Sequence, residues 1–232
     1  MSAKLQIVEV VTATDAEDMA TFFKTIWTDG DEVVPFDLVL AVVHIGGYAT
    51  IAKQDNKVVG ASFGFLGEYA AHRVLHSHVT AASVPGVGFQ LKQHQFAWAQ
   101  EREIAGITWT FDPLVRRNAK LNLLKLGADI ASYHPNFYGD MPDALNAGDE
   151  SDRVLASWKV VGEKPISRSS IADPLASDIL IEIPEDIVAI REKDLAENLK
   201  WRHKVRDQFV AAFAKGGKVV GFSENSEYVV RI

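Results

Sequence analysis

The pattern of the chain predicts an α/β (α+β) protein: a mixed, mostly antiparallel central sheet with one parallel strand pair, helices on both faces, and a C-terminal strand–helix–hairpin extension. Three observations predict it. Two β-rich runs, Tyr48 to Lys53 and Val58 to Leu66, flank the polar turn Gln54-Asp55-Asn56-Lys57 and read as an antiparallel hairpin. Strand, glycine loop, helix and strand follow from Arg73 to Phe111, which requires a parallel pair joined by a right-handed crossover. Beyond Asp178 the order is strand, long helix and terminal hairpin. The expected division is a domain over residues 1–161 and the extension over 162–232.

Each element has a local reason. Lys4 to Val11 is rich in Val and Ile and reads as the first strand. Thr14-Asp15-Ala16-Glu17 opens a helix whose Met19, Phe22, Phe23 and Ile26 share helical spacing, ended by the turn Asp29-Gly30-Asp31. Pro35-Phe36-Asp37 starts a short buried helix, Leu38 to Ile45, stopped by Gly46-Gly47. A strand over Arg73 to Ala81 sets His76 and His78 on one face, since alternate residues of a strand point the same way. A helix from Phe89 to Ile104 and a strand from Gly106 to Phe111 follow. Helix Arg116 to Leu126 closes on Gly127, the residue type expected past a helix end. Strands over Asp129 to Tyr133 and Arg153 to Val161 enclose a polar loop, Asn136 to Asp152. A linker, Gly162 to Ser177, leads to a strand (Asp178 to Ile183), a helix (Glu192 to Lys215) and the hairpin Lys218 to Ser223 with Glu227 to Ile232. On that last helix Phe209, Val210 and Phe213 form the apolar side and Trp201-Arg202-His203-Lys204 a basic tip.

Composition narrows the function classes. The 232 residues are 47% hydrophobic and 24% charged, as in a globular chain with a full core. The absence of cysteine excludes a disulfide framework, a zinc–thiolate site and a thiol nucleophile, and fits a reducing compartment. No apolar run of the signal-peptide kind follows Met1. The longest apolar stretch, Leu38 to Gly46, is far shorter than the roughly 20 residues of a membrane span. A soluble cytoplasmic protein without a membrane partner is expected. A net charge of −7 argues against nucleic acid as a partner.

Chemistry concentrates in two places. In Pro85-Gly86-Val87-Gly88, between a strand and a helix, unpaired amides of the first helical turn favour a phosphate or pyrophosphate, and glycine lets it approach. A plain tight turn is the alternative. A Rossmann site fits poorly, because a third glycine is missing and hairpins precede the unit. The second place is the strand end at Asp112, where α/β sheets open their clefts. Asp112 caps the next helix or acts chemically, while Arg116 and Arg117, with Lys92 and Lys120, offer cations to a phosphorylated cofactor or are simply solvated. His76 and His78 are acid–base candidates, or core histidines. Tyr133 and Tyr138 are candidate proton donors, or packed tyrosines. His76, His78 and His134 have no convincing carboxylate nearby, so no metal is expected.

This order, with an Asn-Ala helix closing on Lys-Leu-Gly, resembles the GNAT superfamily of N-acetyltransferases. The string Thr108-Trp109-Thr110-Phe111-Asp112-Pro113-Leu114, the pairs Asn118-Ala119 and Asn122-Leu123, Leu126-Gly127-Ala128, Tyr138-Gly139 and Ser151-Asp152-Arg153 are similar to a poorly characterised branch often called predicted acetyltransferases. The likeness covers about residues 5–161, and the tail with Trp201-Arg202 and Tyr228 is similar to that branch's extension. The resemblance implies that the glycine loop holds a CoA pyrophosphate and that the parallel pair splays to receive the pantetheine arm. Val84, Gly86, Val87, Gly88 and Phe89 would touch the pyrophosphate and Asn118 the arm, with Lys92, Asp112, Arg116 and Arg117 completing the cofactor set. Two positions depart from the superfamily pattern. Ser83 stands where Gln or Arg is usual, in a shortened loop, and Leu123 stands where a tyrosine often acts as general acid.

The implied function is transfer of an acetyl or other acyl group from acyl-CoA to an amine of a small molecule or peptide. It would proceed by direct attack in a ternary complex, with His76, His78 and Tyr138 as catalytic residues. Absence of cysteine and of a Gly-x-Ser-x-Gly elbow disfavours a covalent intermediate. A CoA-binding or ligand-sensing module without turnover, and an oligomeric scaffold, are the competing expectations. A homodimer is compatible with all three.

Overall fold

The computed structural model describes residues 4–27, 33–139, 148–160 and 172–232. The predicted turn at Asp29-Gly30-Asp31, the middle of the loop after Asn136, Val161 and most of the linker lie outside them. The chain forms two compact units: residues 1–109 with 159–163, and residues 110–158 with 164–232. Residues 110–158, grouped with the N-terminal domain by sequence, thus pack with the C-terminal residues.

The first unit carries the mixed sheet. Its strands are β1 (Gln6–Glu9), β2 (Tyr48–Gln54), β3 (Lys57–Tyr69), β4 (His72–Ala82) and β5 (Gly106–Phe111), adjacent in that order. β1 to β4 pair antiparallel and β4 with β5 parallel. β3 and β4 run further toward each other than predicted, turning through Ala70 and Ala71, both left-handed at φ 49° and 60°. Alanine is unusual there, and no Gly or Asn marked the turn.

Helices cover both faces. α1 (Ala13–Ile26) starts at Thr12, whose side chain accepts from the Asp15 amide, and α2 is Phe36–His44. Met19, Phe23 and Val39 pack on one face against Ile51 and Phe63. On the other face lies α3 (Val87–Glu101), with Val87 and Leu91 against Ala52. Gly60 permits this approach: a Cβ on it would stand 2.7 Å from Val87 Cγ1.

In the second unit, α4 (Arg116–Ala119) runs straight into a π-helix, Lys120–Lys125. The predicted Arg116 to Leu126 helix is therefore continuous in length but not in phase. β6 (Asp129–His134) pairs antiparallel with β7 (Arg153–Lys159). The extension holds β8 (Ile179–Glu182), α5 (Ile187–Lys193), α6 (Leu195–Ala214), β9 (Lys218–Phe222) and β10 (Glu227–Arg231), with strand order β8-β10-β9. Two helices replace the single one predicted. Asp194 divides them, ending α5 and accepting from the Glu197 amide to start α6. Of the predicted apolar side of α6, Phe209 is buried but Val210 is exposed. Arg202, predicted at a basic tip, is buried too. Among the described residues no helix is long and apolar enough to cross a membrane.

Candidate functional site

The glycine loop leaves β4 through Ser83, which is tied back to β3 by its amide and hydroxyl on the Val59 carbonyl, at 2.9 and 3.2 Å. Val87 donates its amide to the Val84 carbonyl at 3.3 Å, and Gln90 makes the first helical bond to Gly86. Gly86, at φ 86°, is the N-cap and offers no side chain to the helix end. The amides of Gly86, Gly88 and Phe89 are left without an acceptor among the described residues. A Cβ on Gly86 would meet nothing within 4 Å, and one on Gly88 only Ala82 at 3.9 Å. The head of α3 is thus an open set of donors at the positive end of a helix dipole, with no acid in its first turn. Val87 does not share this role: its amide is engaged and its side chain is core.

Beside this loop the parallel pair comes apart. β4 and β5 are in register only over Val74–Gly106, Leu75–Ile107 and His76–Thr108. β4 then runs on to Ala82 and β5 through Trp109 without further pairing to each other. The last rung is bolted by a hydrogen bond between His76 Nδ1 and Thr108 Oγ1 at 3.0 Å. β4 also bulges at the fork: Phe63 faces Val79 while Gly64 faces Ser77, so His78 is the extra residue. A bulge bends its strand and leaves the extra residue outside the ladder.

The two faces of the fork differ. His76 and His78 share one face, as predicted, with the Phe65 ring 5.3 Å from the first and 5.9 Å from the second. Burial holds the His76 imidazole below its ordinary range, helped by His78 and Lys92. His76 is therefore neutral at neutral pH, as a proton acceptor must be. On the α3 face, Lys92 was expected as a cation for a phosphate. Instead it is buried beneath the fork, with Nζ 2.8 Å from Ser77 Oγ, 3.1 Å from Gln95 Oε1 and 4.1 Å from the centre of the Trp109 ring. Gln95 in turn donates to Ser62 and Ser77 at 2.8 and 2.9 Å. Nothing local in the sequence gives Ser77, Gln95 or Thr108 a role in a site, because polar residues on strands and helices are commonplace.

The remaining candidates belong to the second unit. Asp112 does not cap α4, whose N-cap is Val115. Nor is its carboxylate open to a cofactor: it accepts the Leu114 amide at 2.9 Å and Arg202 at 2.6 and 2.8 Å. Burial would raise its pKa, but the Arg202 guanidinium prevails and holds it below the usual carboxylate range. Arg116 donates to the Ile183 carbonyl at 3.1 Å, Arg117 is exposed, and Asn118 is half-buried. Tyr138 is exposed, its hydroxyl 2.9 Å from Thr110 Oγ1 and its ring under Arg153 at 5.3 Å. Tyr133 hydrogen-bonds Asp152, and burial with that carboxylate raises its pKa well above the ordinary phenol value, so it is a poor acid. Leu123 is buried in the π-helix. Among the described residues no group of three or more His, Cys, Asp or Glu is placed to hold a metal ion.

Neither a family model nor a curated protein sequence matches the chain. Solved structures do match by shape. A GNAT-family acetyltransferase from Streptococcus pneumoniae aligns with TM-score 0.52 at 15% identity, over 68% of this chain and 99% of its own. The fold is that of the GNAT acetyltransferases. The ribosomal-protein-S18-alanine N-acetyltransferase of Escherichia coli aligns with TM-score 0.52 at 14% identity, over 69% of this chain and 96% of its own. Arabidopsis thaliana Naa50, in complex with the bisubstrate analogue CoA-Ac-MVNAL, aligns with TM-score 0.51 at 16% identity, over 66% of this chain and 97% of its own. At such identities what is shared is the GNAT fold, and about a third of this chain lies outside each alignment.

Proposed function

We propose that the protein transfers an acyl group from acyl-CoA to an amine of a small molecule or peptide, by direct attack without a covalent intermediate. The observation that carries this is the fork: two parallel strands that part beyond His76 and Thr108, beside a helix head with three amides unengaged among the described residues. A diphosphate on those amides would let the pantetheine arm run along α3 into the fork. The attacking amine would come from the other face, where His76 takes its proton through Nε2, the nitrogen left free by Thr108. The backbone amide of His78, outside the ladder, is the candidate donor to the thioester carbonyl. Catalysis then rests mainly on positioning. The complex of Naa50 with a CoA-peptide conjugate supports the reading by analogy of fold.

A CoA-responsive module without turnover is the second reading, favoured by buried Leu123 where the superfamily often carries a tyrosine. Thermal melting with and without CoA, coupled to a thiol-release assay on acetyl-CoA over an amine panel, separates the two. Stabilisation with thiol release is the expected outcome. Stabilisation alone selects the second reading, and neither effect removes both.

A further inference from the structure

Lys92 is a buried amine at the fork that the scheme above leaves unused. Its amino group is buried, and none of its partners is a carboxylate: it meets a serine, a glutamine amide and an indole face. A methionine would fill the same space without the penalty of burying a charge. The partners also mark where the amine sits. Ser77 is the first residue of β4 past the last paired rung, and Trp109 the first of β5. Lys92 therefore lies under the mouth of the fork. It is five residues along α3 from Val87, roughly 7–8 Å from the helix head. The titratable group coupled to it is His76, on the opposite face of the same rung.

A cation without a counter-ion among the described residues, set where an anion would form, has a chemical use. In the proposed reaction the anion is the departing thiolate, which needs a proton. Tyr133 is tied to Asp152, and Leu123 has none to give. We infer that Lys92 is the proton donor to the CoA sulfur as it leaves. The amine nitrogen bonds to the thioester carbon and the carbonyl pair moves to oxygen. The tetrahedral adduct then collapses and the C–S bond breaks. The electron pair stays on sulfur, which takes a proton from the Lys92 ammonium to give CoA thiol. The proton lost by the amine goes to His76, and exchange with solvent restores both groups. Acid and base thus stand on opposite faces of the sheet, each on the side its partner reaches. Burial brings the Lys92 pKa down to about 7, matched to proton transfer near neutral pH.

This inference rests on the acyl-CoA reading, and the test keeps the two apart. Ionisation of enzyme-bound CoA thiol is followed by thiolate ultraviolet absorbance in the wild type and in Lys92→Met, with desulfo-CoA binding as the control. An ammonium beside the sulfur predicts that the bound wild-type thiol ionises at least one pH unit below free CoA, about a tenfold preference for thiolate. Lys92→Met abolishes that shift. A purely structural lysine would alter CoA and desulfo-CoA binding alike and leave the sulfur's titration unmoved, which overturns the inference and spares the cofactor reading. If neither CoA nor desulfo-CoA binds the wild type, both fall. Should Lys92→Met fail to fold, the wild-type titration decides by itself, since an unshifted bound thiol contradicts the proton donor.

Discussion

Lys92 in the first unit and Arg202 in the second are both sealed from solvent, at 6% and 1% exposure, yet their surroundings are opposite. Arg202 grips two carboxylates, Asp112 at 2.6 and 2.8 Å and Asp149 at 2.6 and 3.2 Å. Arg191 reinforces both, reaching Asp149 at 2.7 Å and Asp112 at 3.3 Å. The Tyr228 hydroxyl holds the Pro113 carbonyl at 2.8 Å. The second unit thereby locks the turn after β5 to its own extension with charges that are fully matched. Among the described residues Lys92 has no carboxylate partner, and burial brings its pKa down to about 7. Matched charge holds geometry, whereas an unmatched buried amine is a candidate for proton transfer.

The largest effect should come from breaking the matched cluster. Arg202→Met leaves two buried carboxylates to Arg191 alone and is expected to destabilise the protein by about 3–5 kcal/mol, read as a lower midpoint in denaturant. A loss below 1 kcal/mol would show that the cluster is not structural. Lys92→Met should act with the opposite sign. A lysine whose pKa falls from 10.5 to about 7 on folding carries its full penalty below pH 7, and that penalty fades as pH rises toward 10.5. The variant should therefore melt several degrees higher than wild type at pH 6, with the gap closing by pH 10. An equal gap at both values contradicts an unpaired buried amine.

His76→Gln keeps a polar group at the last rung but removes the proposed base. Turnover should fall about 100-fold, and the acidic limb of the pH–rate profile, set below the ordinary histidine range by burial, should vanish. Unchanged turnover would transfer the base to another residue. The smallest effect is expected at Gly86→Ala, where φ 86° strains any side chain by about 1 kcal/mol. CoA affinity should fall with it, as measured by calorimetry, whereas affinity at the wild-type level would detach the loop from the cofactor.

The two regions were also unequally legible. The hairpin of β2 and β3, the parallel crossover and the glycine loop could be read because turn residues and β-branched runs announce them locally. The α5–α6 break had a signal that went unread: Asp194 followed by Glu197 is the spacing of a helix start. The π-helix had none, since one surplus residue in Lys120–Lys125 leaves apolar spacing nearly unchanged. The burial of Arg202 depends on partners 90 and 53 residues away, beyond any local pattern. Lys92 is hidden for the same reason, because a lysine on a weakly amphipathic helix reads as solvated until Ser77 and Trp109 are brought beside it.

Everything turns on whether a diphosphate meets the head of α3 and its arm enters the fork. Backbone amide NMR of the protein titrated with CoA tests this most directly. The amides of Gly86, Gly88 and Phe89 should move with the largest shifts, together with Ser77 and the Trp109 indole. Shifts confined to other parts of the chain, or none at all at saturating CoA, would contradict the account.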